Sequence, residues 1–212
     1  MTEQHVSMPH NIVGNPNGDK LKTAAQGEGI SEEEWRAQNL PATKLEFRWR
    51  YTNKTIHLYE RRLRSLAAFN VGPAVQAWVR SRLEWVRDNR FYEMPDGVIV
   101  LSIDPEGEVD IQQEPLQKTP AFTDSGDMPG TLWVAKDGCV YSEQSIRHAA
   151  DTLVRDLCKT LGFEQSETRL EGKDIERFIV SDEFGIIAHE TQNGPITQKL
   201  SECFDKLWTL DR

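Results

Sequence analysis

Along LEFRWRY, the apolar residues Leu45, Phe47, Trp49 and Tyr51 alternate with Glu46, Arg48 and Arg50. A period of two predicts a half-buried strand with one face turned to a core. Thr52-Asn53-Lys54 turns the chain. From Ile56 to Phe69 the apolar spacing becomes helical. After Gly72-Pro73 a second helix is predicted, with Val75, Trp78, Val79, Leu83 and Val86 on one face. Arg82 falls inside that stripe and is expected to be paired with an acid, because an unpaired buried guanidinium is costly. Beyond Pro95-Asp96-Gly97, the run VIVLSI, the turn Asp104-Pro105-Glu106-Gly107 and the run EVDI predict two strands of a hairpin or meander.

The second half repeats this alternation of periods. TLWVAKDGCVY reads as strand, Asp-Gly turn, strand. Ile146, Ala149, Ala150, Leu153, Val154, Leu157 and Leu161 mark a long amphipathic helix stopped by Gly162. RFIVSDEFGIIAHE predicts one or two strands, and Ile196, Leu200, Cys203, Phe204, Leu207 and Trp208 a closing helix. The fold class is therefore α+β: two small lobes, each a mainly antiparallel sheet packed with helices. Residues 1–43 read as an N-terminal arm with one helix at SEEEWRAQN, capped by Ser31 with Glu34 at the capping-box position. The start of that arm is expected to be mobile. Residues 44–111 form the first lobe, 112–130 a linker rich in Pro and polar residues, and 131–212 the second lobe.

Composition narrows the class of function. With 38% hydrophobic and 28% charged residues among 212, and no apolar run near the ~18 residues of a spanning helix, the chain is expected to be soluble and to have no membrane partner. No signal peptide is apparent at the start. Three widely spaced cysteines, 139, 158 and 203, in apolar patterns predict reduced thiols and a cytoplasmic location. Cys139 is expected to be inert. The net charge is −9, yet Lys44 to Tyr92 hold 11 Lys and Arg against 4 Asp and Glu. That segment lacks the alternating aromatics of an RNA-binding sheet, so its charge is expected to pair within the fold rather than hold nucleic acid. His148, His189 and Glu190 lack metal-ligand spacing, and no metal is expected. Asp182 and Glu183, adjacent on a strand, point to opposite faces and cannot share one site.

In this order the segments resemble the class IV aminotransferase family, the fold type IV pyridoxal-phosphate enzymes that include aminodeoxychorismate lyase. IHLYERRLRSLAAFNV resembles the family's first helix, with Tyr59 at its His position, Arg62-Leu63 at its Arg-Leu pair and Leu66-Ala67 at its Ser-Ala. TLWVAKDGCVYSEQ resembles the strand-turn-strand that carries the family's Asn-Leu-Phe. SIRHAADTLVRDLCKTLGF is similar to the helix that follows, VSDEFGI to the Ala-Asp-Glu-Val-Phe strand, and GPITQKLSECF to the Gly-Pro-Val-Thr turn into the last helix. The resemblance covers roughly residues 45 to 208 and is degenerate throughout.

The resemblance implies a fold type IV aminotransferase-like architecture, pyridoxal phosphate as cofactor, a small amino-acid-like substrate and a homodimer. It also implies a lysine for the aldimine, a glutamate for the pyridinium nitrogen and donors for the phosphate. Arg62 stands at the family's phosphate-binding arginine, and Thr197 at the start of the last helix is the second phosphate candidate. The lysine is less well matched. The interval from Gly107 to Leu132 is too short for the family's lysine segment, no Glu sits immediately before Leu132, and the Gly-Thr pair expected after Asp182-Glu183 is absent. Lys118, in the Pro-rich stretch, and Lys136, at the Asp-Gly turn, are the candidates that remain. Two functions stay open: a pyridoxal-phosphate enzyme that transfers or eliminates an amino group, or a shortened relative without the catalytic lysine that serves as a non-catalytic binding or partner subunit.

Overall fold

The structure is a computed structural model in which residues 6–7, 29–91, 93–122 and 129–208 are described. The expectation for residues 1–28 lies outside the described residues, apart from Val6–Ser7. The chain divides into two units. Residues 1–56 and 60–116 form the first, and residues 57–59 and 117–212 the second. Each has a five-stranded sheet, and the pairing is antiparallel except for one parallel edge. The α+β architecture of two antiparallel-dominated sheets with helices is as the periodicity requires.

In the first unit the strand order is β1-β5-β4-β2-β3, with β1 Val6–Ser7, β2 Leu45–Thr52, β3 Thr55–Ile56, β4 Gly97–Ile103 and β5 Val109–Glu114. β2 buries Phe47, Trp49 and Tyr51 and leaves Arg48 and Arg50 half-exposed. Its register sets Phe47 opposite Leu101, Trp49 opposite Ile99 and Tyr51 opposite Gly97. β5 runs to Glu114, so residues 112–114, read from sequence as the start of a linker, belong to the sheet: VDIQQE keeps its ladder to β4 through the polar residues. Helix α1, Glu32–Asn39, begins with the expected capping box. Glu34 N–H donates to Ser31 Oγ at 3.1 Å, and Ser31 N–H to the Glu34 carboxylate at 2.9 Å. Its Trp35 is fully buried.

Helix α2, Tyr59–Ser65, continues as a 3-10 turn, Leu66–Phe69, and α3, Pro73–Arg90, packs against α1. α3 buries Val75, Val79, Leu83 and Val86, while Trp78 is half-exposed. Arg82 does not meet an acid. Its guanidinium lies over the Trp85 ring at 4.3 Å, and its Nε is buried without a hydrogen bond. A weakly hydrated planar cation tolerates this, because the ring face replaces part of the lost water.

The second unit has the order β10-β9-β6-β7-β8, with β6 Thr131–Lys136, β7 Cys139–Ser142, β8 Glu164–Gln165, β9 Glu176–Ser181 and β10 Gly185–Ala188. Helices α4, Ala149–Leu161, and α5, Pro195–Trp208, both contact β9. The paired residues Trp133 and Phe178, with Ala135 and Val180, join Leu153, Val154, Leu157, Leu200 and Phe204 in one core. The other face carries a smaller cluster of Phe122, Ile179 and Ile187. Gly162 ends α4 in the left-handed conformation, with φ 77°, as its sequence position implies.

The start of β4 has no room for a side chain. A Cβ on Gly97 would lie 2.5 Å from Tyr51 Oη and 2.6 Å from the Glu114 carbonyl oxygen. Tyr51 is itself fixed, donating to the Met94 carbonyl at 3.1 Å and accepting from Gln113 at 3.0 Å. Gly97→Ala is expected to cost roughly 1–3 kcal/mol, read as a lower urea midpoint with an unchanged slope.

Candidate functional site

In the second unit the two ends of β9 each carry an acid that meets the start of a helix. A helix leaves its first amides without partners. In both helices the chain supplies a carboxylate. Asp182, just beyond the end of β9, accepts from Ala150 N–H of α4 at 2.8 Å. Glu176, the first residue of β9, accepts from Ile196 N–H at 3.2 Å and Thr197 N–H at 2.7 Å of α5. The Gly-Pro that opens α5 follows from this. Proline suits the first helical position, and a Cβ on Gly194 would fall 2.5 Å from Glu176 Oε1. His148 lies beside the first of these caps, with Nδ1 3.4 Å from Asp182. The Nδ1 of His189 accepts the amides of Thr191 and Gln192, each at 3.2 Å, and so holds a turn.

A third acid, Asp151 on α4, is fully buried. Its two oxygens accept from Trp133 Nε1 at 2.9 Å and Thr131 Oγ1 at 2.8 Å, which ties the helix to β6. Sequence reasoning missed this residue. An acid in the first turn of a helix normally reads as a solvated charge near the dipole, and only the presence of a Trp and a Thr on the facing strand marks it otherwise.

The residues singled out from sequence are dispersed. Arg62, on α2 in the first unit, is fully buried, unlike its neighbours Arg61 and Arg64, and its guanidinium lies 5.8 Å from the centre of the Trp49 ring. Lys118 is exposed in a segment of the second unit without regular secondary structure. Lys136 ends β6, half-exposed, with Nζ donating to the Glu171 carbonyl at 3.3 Å. Thr197 is fully buried. Its amide is taken by Glu176, and its hydroxyl has no hydrogen-bond partner. Lys136 and Thr197 are on opposite faces of the sheet. Ala135 pairs with Glu176, so Ala135 shares the helix-covered face with the carboxylate that reaches Thr197, and Lys136 points the other way.

These placements test the cofactor that the resemblance implies. A guanidinium suits a phosphate dianion, and Arg62 is a fully buried one. The aldimine lysine does not fit. An aldimine lysine is set in a desolvated or electrostatically tuned site that lowers its pKa, yet every lysine among the described residues is exposed or half-exposed. The amides at the start of α5 already hold a carboxylate. Among the described residues no group of three or more His, Cys, Asp or Glu is placed to hold a metal ion, and no helix is long and apolar enough to cross a membrane.

No family model and no curated protein sequence matches the chain. Solved structures do. A hypothetical aminotransferase from Mycobacterium tuberculosis superposes in its apo form with a TM-score of 0.62 at 13% identity, over 83% of this chain and 93% of the other. Its pyridoxal-phosphate-bound form gives 0.62 at 12%, over 80% and 90%. 4-Amino-4-deoxychorismate lyase from Pseudomonas aeruginosa gives 0.57 at 16%, over 80% and 92%, and a fold IV-transaminase from Curtobacterium pusillum 0.55 at 11%, over 80% and 87%. The chain thus has the fold type IV aminotransferase fold, which the resemblance implied. The Mycobacterium protein is matched over nearly its whole length, so a chain about this long is known in a cofactor-bound form.

Asp151 has a measurable consequence. Burial is the largest influence and raises its pKa to about 6, against the opposing hydrogen bonds from Trp133 and Thr131. An acid whose folded pKa is raised binds its proton more tightly when folded. Stability is therefore greatest below the ordinary aspartate value of 3.8 and is lost as the pH rises through about 6. Asn at this position can still accept from Trp133 and bond to Thr131, and it carries no charge. Asp151→Asn should gain on the native protein by about 2 kcal/mol between pH 4 and pH 7, measured by denaturant unfolding at each pH.

Proposed function

We propose that this chain is a fold type IV scaffold that does not form an aldimine and serves as a non-catalytic binding or partner subunit. The observation that carries this reading is the position of the lysines: Lys118 is exposed, and Lys136 is half-exposed on the sheet face away from Thr197. Without an aldimine the electron sink of the chemistry is lost. Glu176 supports the same reading, because a phosphate at the start of α5 would meet a carboxylate already bonded to its amides.

The second reading is a pyridoxal-phosphate enzyme acting on a small amino-acid-like substrate, and the burial of Arg62 favours it. In that case Arg62 holds the phosphate, and either Lys118 or Lys136 carries the cofactor. A visible spectrum and borohydride reduction separate the two readings. The non-catalytic subunit should be colourless, and peptide mapping after reduction should find sub-stoichiometric pyridoxyl groups spread over surface lysines. Stoichiometric labelling of a single lysine would overturn the proposal in favour of the enzyme.

The partner half of the proposal rests on α3. Trp85 is 41% exposed and lies between two guanidinium groups, Arg82 at 4.3 Å and Arg90 at 5.9 Å from the ring. Exposed Trp and Arg together are enriched at interface hot spots, and a second copy of the chain is the proposed occupant. Light scattering should give twice the mass of 24.3 kDa for the native chain. Trp85→Ala should shift this to the monomer with little change in melting temperature. A native monomer at high concentration would remove the idea.

A further inference from the structure

The second unit carries a cleft that neither reading uses. It has a volume of about 500 Å³ and lies where β7, the segment before α4, the middle of α4 and the edge strand β8 meet. Ile146 and Tyr141 form its apolar lining and Gln144 and Gln165 its neutral polar lining, with one cation, Arg155, and one anion, Glu167. The two charges do not bond to each other. Arg155, on α4, is half-buried, and its Nε is shielded from solvent without a hydrogen-bond partner. Glu167 is exposed on the segment after β8. Nearby charges are already engaged: Glu143 pairs with Arg169 at 3.2 Å, and Cys139 Sγ donates to Glu164 at 3.9 Å.

We propose that this cleft binds a small zwitterion of the α-amino-acid type, with its carboxylate on the Arg155 guanidinium, its ammonium on Glu167 and an apolar side chain against Ile146 and Tyr141. A planar guanidinium matches a carboxylate in a bidentate manner. One positive and one negative group in the same lining favour a ligand with both charges and disfavour a dianion such as phosphate, which would face Glu167. The volume is within the usual range for small-molecule sites. The site needs no cofactor and is independent of the choice between the two functions above.

Calorimetric titration of the full chain with L-leucine, without added pyridoxal phosphate, tests it. Saturable binding is expected, with N-acetyl-leucine, which lacks the ammonium, and leucinamide, which lacks the carboxylate, each about tenfold weaker or worse. Arg155→Met and Glu167→Gln should each weaken leucine by a similar factor. Glu167 is exposed, so its variant remains informative if Arg155→Met does not fold. The proposal is overturned by no saturable binding of leucine up to about 10 mM, by Glu167→Gln binding like the native chain, or by inorganic phosphate competing as well as leucinamide.

Discussion

Strand β9 holds the second unit together through the acids at its two ends. Glu176 fixes the start of α5 through two amides and Asp182 the start of α4 through one. Each bond replaces water at amides that a helix cannot satisfy itself, and a carboxylate there also meets the favourable end of the helix dipole. With the two starts fixed, the apolar stripes of both helices fall on Trp133, Ala135, Phe178 and Val180. Asp151 then links α4 to β6 from inside. The core is built on polar anchors, and the dispersal of charge in the sequence conceals this.

Elements with a clear period were legible. β2, α3, the β6–β7 hairpin, α4 and α5 appear where alternation or helical spacing puts them, since each buries one face and the period records which. Gly162 and the Ser31 capping box were legible for a similar reason, because their partners are within a few residues. What was not legible depends on residues far apart. Glu176 reads as the polar start of a strand, and nothing local links it to amides some twenty positions on. β5 extends into Gln112–Glu114 because the ladder to β4 satisfies its backbone, whatever the polarity of its side chains.

Three arginines show how much of the site was hidden. Arg62 was singled out by the resemblance, and Leu66, four residues further on, is buried as it is. The helical phase of Arg62 was in the sequence, and a buried guanidinium was the less common reading. Arg82 was correctly placed on the apolar stripe, and its counterpart proved to be an indole rather than an acid. Arg155 has the phase of a boundary residue on α4, and only the folded position of β8 makes it the wall of a cleft.

The same electrostatics bears on the scaffold's capacity for phosphate. The start of a helix attracts an anion because its amides are free, but that attraction is spent once the chain's own carboxylate is held there at 2.7 Å. A phosphate arriving at α5 must either expel Glu176, which would then lose two hydrogen bonds in a buried setting, or lie beside it and meet like charge. Both are unfavourable by amounts comparable with a charged hydrogen bond, about 1.5–3 kcal/mol. In this chain, therefore, the helix start that the resemblance assigns to the phosphate is a structural joint, closed by the chain's own carboxylate.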